Sequence, residues 1–217
     1  MRAQTLSLIV LLMGLPLWVQ ASKVEADGAV FNEKLATPAL IRQAQQGGLV
    51  LYMRHGKTDT KIPDQVPIDL NNCATQRPLT ANGLAEAKQI GLWFKQLAIP
   101  YNQVFASPLC RAKQTAVATF GDAVKVELNL QYTAALTTEE KQPIIAKTRE
   151  LLSSPVETGT NRILVAHGPN MVEMLAYFPP EGTIVFIRPL GGEEKKFEYL
   201  GSITPAHWPL LLKQMSQ

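Results

Sequence analysis

The stretch Leu49-Val50-Leu51-Tyr52-Met53-Arg54-His55-Gly56 constrains this chain more than any other. An unbroken apolar run stops abruptly at Arg-His-Gly. A run of this length, rich in Leu, Val and Tyr, predicts a buried strand. Strands buried on both faces belong to mostly parallel sheets covered by helices. Two further runs behave alike: Val104-Phe105-Ala106 leads into Ser107, Pro108 and Arg111, and Ile163-Leu164-Val165-Ala166 leads into His167-Gly168. Open α/β sheets bind ligands beyond the carboxyl ends of their strands. Three strand ends therefore offer two imidazoles and two guanidiniums to one place.

Helical patterns separate the strands. Pro38 to Gln46 predicts a short helix stopped by Gly47-Gly48. Thr80 is an N-cap for a stripe of Leu84, Ala87, Ile90, Phe94 and Leu97, and Pro100 ends it. Cys110 to Phe120 predicts a helix, Lys125 to Leu130 a strand, and Glu139 to Leu152 a helix with Pro143 in its first turn. Pro169 to Tyr177 predicts a helix, and Pro179-Pro180-Glu181-Gly182 a turn. Thr183 to Arg188 and Lys196 to Leu200 read as a hairpin around Gly191-Gly192, and His207 to Met215 as a terminal amphipathic segment. His207 reads as a surface or packing residue. Trp93 is assigned to the core, Trp208 to terminal packing and Trp18 to the N-terminal apolar segment. Residues 57–78 are polar and carry Pro63, Pro67 and Pro78. Loops of this length serve function or are disordered. The alternation predicts an α/β fold, a three-layer α/β/α sandwich around a mostly parallel sheet.

The first residues read differently. Arg2 precedes an apolar segment, Leu6 to Val19, and Val19-Gln20-Ala21 fits a cleavage site for export. The expected organisation is a signal peptide over residues 1–21 and a single domain over 22–217. Cleavage after Ala26, or retention as an anchor, are the alternatives. The segment is short for a span, which needs about 20 apolar residues. No stable membrane span is expected after cleavage. The expected location is outside the cytoplasm, in a periplasm. In an oxidising compartment the two cysteines, Cys73 and Cys110, are expected to form a disulfide. Two free, buried thiols are the other reading. The formal net charge of +3 has no dense basic block behind it, which argues against a nucleic-acid partner.

The residue set has a chemistry. Arginine binds phosphate oxygens through a planar fork of donors. A nucleophilic histidine must be neutral, with one ring nitrogen held by an acceptor and the other free. A second histidine can donate to a phosphoryl oxygen as charge develops. Arg54, His55, Arg111 and His167 meet these needs, and Gly56 permits a tight backbone after His55. Thr58 is a further candidate donor to phosphate, and Lys57 a candidate attractor of anions.

Four ordered motifs now carry a resemblance. Leu51-Tyr52-Met53-Arg54-His55-Gly56 resembles the nucleophile motif of the histidine phosphatase superfamily, which includes the phosphoglycerate mutases. Arg77-Pro78-Leu79-Thr80 with Gly83, Ser107-Pro108-Leu109-Cys110-Arg111-Ala112, and Val165-Ala166-His167-Gly168 resemble the motifs that follow it. The resemblance implies a phosphoglycerate mutase-like fold and a phosphatase. His55 would be the nucleophile that becomes phosphohistidine; Arg54, Arg111 and His167 would bind the phosphoryl group; no metal and no cofactor would be needed. The expected substrate is a small phosphorylated metabolite or an envelope glycan phosphate.

The sequence departs from the family at the general acid. The stretch Leu128-Asn129-Leu130-Gln131 lacks the glutamate of mutase-like members, and Gly168 stands where the other branch has an acid. Asp59, Asp64 and Asp69, or Glu139 and Glu140, are the candidates. A missing donor would cost about 10²–10⁴ in rate for a poor leaving group and little for a good one. Two alternatives follow: a weak or inactive phospholigand-binding module, or a phosphatase for protein phosphohistidine, whose leaving group tolerates the gap.

Overall fold

The protein is described as a computed structural model over residues 31–217. The proposed signal segment lies outside the described residues. Six strands form one sheet: β1 (Val50–Arg54), β2 (Gln103–Ala106), β3 (Val124–Val126), β4 (Arg162–Ala166), β5 (Ile184–Gly191) and β6 (Lys196–Ile203). Their spatial order is β3-β2-β4-β1-β5-β6. The first four are parallel neighbours, whereas β5 runs antiparallel to both β1 and β6. The sheet is thus mostly parallel, as the sequence predicts, and the β5–β6 hairpin adds an antiparallel edge to it.

β1 sits between β4 and β5, and every residue of it is buried. Its side chains alternate between two cores. Leu51 and Met53 face a layer built from α1 (Pro38–Gln46), α2 (Ala81–Gln96), α3 (Cys110–Phe120) and α6 (Trp208–Met215), through Ile41, Ile90, Phe94, Ala116 and Trp208. Val50 and Tyr52 face the other layer, where α4 (Thr138–Ser153) and α5 (Gly168–Leu175) supply Leu152 and Met171. Each large apolar side chain buried this way contributes roughly 1.5–3 kcal/mol before chain entropy is counted. Trp208 is fully buried and stacks on Trp93 at 5.3 Å, so the terminal segment is part of the core.

Helix starts follow their caps. Thr37 and Thr80 each accept a backbone N–H from the first turn. Thr137 and Glu140 form a reciprocal capping box on α4. Two expectations are corrected. The Lys125 to Leu130 run is not one strand: β3 ends at Val126, where its only partner β2 also ends, at Ala106. Glu127 then caps a 3-10 turn over Leu128–Leu130. Pro143 lies inside α4 rather than in its first turn. It tolerates that place because the carbonyl it deprives of an N–H, that of Glu139, belongs to an exposed residue.

Candidate active site

The carboxyl ends of β1, β2 and β4 lie side by side, so His55, Ser107 and His167 meet there. Backbone bonds fix the approach: His55 N–H donates to Ala166 O, and Ser107 N–H to Val165 O, both at 2.9 Å. The next residues are packed without slack. A Cβ on Gly56 would stand 2.9 Å from Gly83 O, and one on Gly83 would stand 2.2 Å from Lys57 O. The start of α2 therefore presses directly onto the turn after His55.

That turn sets the imidazole. His55 Nδ1 lies 2.9 Å from Gly56 O. A carbonyl only accepts, so Nδ1 carries the proton and Nε2 keeps its lone pair. His55 is fully buried, and Nε2 has no partner among the described residues. Burial pushes its pKa well below the ordinary histidine value. The Gly56 bond opposes this, and the charges of Arg111, Arg54 and Arg77 add to the depression. His167 is also buried and held neutral, again by burial first and then by His55 and the same three arginines. Its Nε2 is 2.7 Å from Ser107 Oγ, and its Nδ1 has no partner among the described residues. The two rings lie edge to face with centroids 5.3 Å apart. Tyr52 braces His167 from below, donating its hydroxyl to His167 O at 2.7 Å and accepting His167 N–H at 3.0 Å.

The guanidiniums are held by one end. Arg54 Nη1 donates to Pro179 O at 2.7 Å, and its guanidinium lies over the Phe178 ring at 4.5 Å. Arg111 is fully buried and donates Nη1 to Asp64 Oδ1 at 2.8 Å. Arg54 Nε, Arg111 Nε and Nη2, and Arg77 Nε are buried without partners among the described residues. Buried donors normally find acceptors. Here the unpaired ones belong to three cations whose fields all reach both imidazoles. This is the electrostatics of an oxyanion site.

The candidates for an acid are not brought together. Asp59 and Asp69 cap local turns, accepting from Lys61 N–H and Asn71 N–H. Asp64 is committed to Arg111 and to the Arg77 N–H. Glu139 is exposed in the first turn of α4. Glu140 closes the capping box and also lines a pocket with Gln131 and Tyr132. Thr58 donates its hydroxyl to Glu181 at 2.6 Å, while Lys57 is exposed. Cys73 and Cys110 are joined in a disulfide that closes the loop onto the start of α3.

Three residues at this site are given no site role by the sequence. Glu181 accepts from Thr58, lies 3.6 Å from Arg54 Nη2 and 4.0 Å from His55 Nδ1. Arg77 adds a third guanidinium. Tyr132 packs edge-on to His167 at 5.5 Å and under the Arg111 guanidinium at 5.4 Å.

A histidine with a free lone pair, ringed by unpaired guanidinium donors at the carboxyl ends of parallel strands, has the geometry that phosphoryl transfer requires. The family model of the histidine phosphatase superfamily (branch 1) matches residues 50–138 of this chain. The family match and the site together support a phosphatase. Among solved structures, an α-ribazole phosphatase from Shigella flexneri is similar with a TM-score of 0.51 and 15% identity, over 72% of this chain and 96% of that one. A mycobacterial hydrolase gives 0.50 and 16%, over 71% and 96%. The protein histidine phosphatase SixA, solved with tungstate, gives 0.49 and 20%, over 73% and 98%. These likenesses concern the fold. No curated protein sequence matches the chain.

Proposed function

We propose that the protein is a metal-independent phosphomonoester hydrolase working through a phosphohistidine on His55. The observation that carries this reading is the pair of His55 nitrogens: Nδ1 is tied to Gly56 O, and Nε2 is buried with its lone pair unused. In the first step Nε2 attacks phosphorus. The P–N bond forms, the P–O bond to the leaving group breaks, and the leaving oxygen departs with that electron pair. In the second step water attacks phosphorus and the P–N bond breaks. Inorganic phosphate leaves and neutral His55 returns.

The other groups stabilise the charge that moves. Arg54 Nε, Arg111 Nε and Nη2, and Arg77 Nε bind phosphoryl oxygens with donors that no group among the described residues uses. Ser107 donates to His167 Nε2, which leaves His167 Nδ1–H to donate to the phosphoryl group. A neutral His167 donor suits the step better than a cation would, because three arginines already neutralise the dianion. The Cys73–Cys110 disulfide supports the reading of an exported protein acting outside the cytoplasm.

The test is hydrolysis of an activated aryl phosphate by residues 22–217, in EDTA, beside His55→Ala. We expect EDTA-resistant turnover that is lost in the variant, with acid-labile phosphate trapped on His55 in the wild type. A folded protein that binds phosphate without turning over would instead be a phospholigand-binding module.

A further inference from the structure

The phosphoryl site does not end at the arginines. Beside it lies a pocket of about 270 Å³. Tyr132 is the shared wall: one side of its surroundings is Arg111 and His167, the other is the pocket. Leu109, two residues from both Ser107 and Arg111, forms the floor on the same side. Val66, Pro67 and Ile68 of the long loop and Leu136 before α4 complete an apolar enclosure. Its polar groups are on Gln131, Glu140 and the Tyr132 hydroxyl. The Gln131 carbonyl accepts from Asn170, and Glu140 already accepts the Thr137 N–H.

We infer that this pocket takes the leaving group of the substrate, and that the leaving group is an uncharged aryl or similarly apolar group. The inference rests on the phosphatase reading and adds its substrate class. Three arguments favour it. Adjacency comes from Tyr132, which lies against Arg111 and His167 and also lines the pocket, so a leaving group on that side of a phosphoryl group bound there would enter it. Six of the pocket's nine lining residues are aliphatic, which favours an apolar group over a sugar, whose hydroxyls need partners in any site that dries them. The single carboxylate at the rim repels an anionic leaving group. The chemistry agrees as well: an aryl oxide departs without a proton, and the carboxylates that touch the site, Asp64 and Glu181, are occupied with arginines and Thr58. Among small phosphomonoesters and envelope sugar phosphates, the pocket selects apolar members of the first group.

Two phenols of similar acidity separate recognition from leaving-group reactivity. The experiment compares kcat/KM for 2-naphthyl phosphate and 4-carboxyphenyl phosphate, with acetyl phosphate as a substrate too small to use the pocket. Wild type and Ile68→Ser and Leu136→Ser variants are measured. We expect a preference of roughly tenfold or more for the naphthyl ester. Each variant should lose most of that preference through KM, with acetyl phosphate turnover changed less than about twofold. Equal rates on the two aryl esters would overturn the substrate class while leaving the phosphatase reading intact. So would a preference that neither substitution touches, because the pocket would then not be its source. Failure to hydrolyse acetyl phosphate by a folded wild type would sink the phosphatase reading, and this inference with it.

Discussion

Asp64 Oδ1 accepts from Arg111 Nη1 and from the Arg77 N–H, each at 2.8 Å. One carboxylate oxygen thus positions two of the three site arginines. It holds Arg111 by a single terminal nitrogen and leaves its Nε/Nη2 edge unpaired, the edge that matches two phosphate oxygens. Asp64 is a positioning residue in this scheme, and not the missing proton donor.

Asp64→Ala should therefore lower kcat/KM on an aryl phosphate by about tenfold or more, the worth of roughly 1.5–3 kcal/mol for a hydrogen bond to a charged group. Asp64→Asn keeps an acceptor oxygen and should recover part of the loss. A proton donor would behave differently: both variants would be equally poor on an alkyl ester and near normal on an aryl one.

Glu181 acts in the opposite sense. It sets a negative charge 3.6 Å from Arg54 and 4.0 Å from His55. That charge opposes a phosphate dianion at the same arginine. Glu181→Gln keeps an acceptor for the Thr58 hydroxyl and removes the charge. Inorganic phosphate should then inhibit more tightly, by about fivefold for roughly 1 kcal/mol of relieved repulsion. Weaker inhibition would show that Glu181 helps the site by holding Thr58 in place.

The sequence carries the frame of this site and misses its edges for definite reasons. Arg54, His55, Arg111 and His167 follow apolar runs, and a run that ends in a charged residue places that residue at a strand end. Glu181 follows no run. It lies on a Pro-Pro-Glu-Gly turn, 123 residues from its partner Thr58. Only the antiparallel pairing of β5 with β1 brings it in, through Gly182 N–H to His55 O and Arg54 N–H to Thr183 O, each at 3.0 Å. A hairpin pattern does not say which strand it will join. The false extension of β3 has the same origin: Val126, Leu128 and Leu130 alternate as a strand would, but β2 is too short to pair beyond Val126. Period reports which residues are buried, and pairing depends on partners elsewhere.

The two imidazoles make stability depend on pH. In the folded protein burial keeps both from taking a proton near the ordinary histidine value of about 6.5, whereas the unfolded chain protonates them there. The unfolded state then binds more protons, so stability rises with pH and falls as pH drops below about 6.5. Each histidine contributes up to about 1.4 kcal/mol per pH unit over that window. Urea unfolding at pH 7.0, 6.0 and 5.0 should show the loss. His167→Asn should show a shallower slope, whatever its stability at pH 7.0; an unchanged slope would mean that His167 takes up a proton in the folded state.

The disulfide links stability to the site. Cys73 is exposed and Cys110 opens α3 one residue before Arg111. Between them Gln76 accepts the Cys110 N–H and donates to Asp69 O, so the loop that carries Asp64 and Arg77 is tied down twice. Cys73→Ser removes the cross-link at its exposed end, where no cavity is left behind. The loss should be about 2–4 kcal/mol, seen as a fall in Tm of roughly 5–15 °C for a chain of this size. Because the freed loop holds Asp64, KM for an aryl phosphate should rise several-fold in the variant, and dithiothreitol should produce the same rise in the wild type. A lower Tm with unchanged KM would mean that the Gln76 bonds alone keep Asp64 on Arg111, and that the disulfide serves stability only.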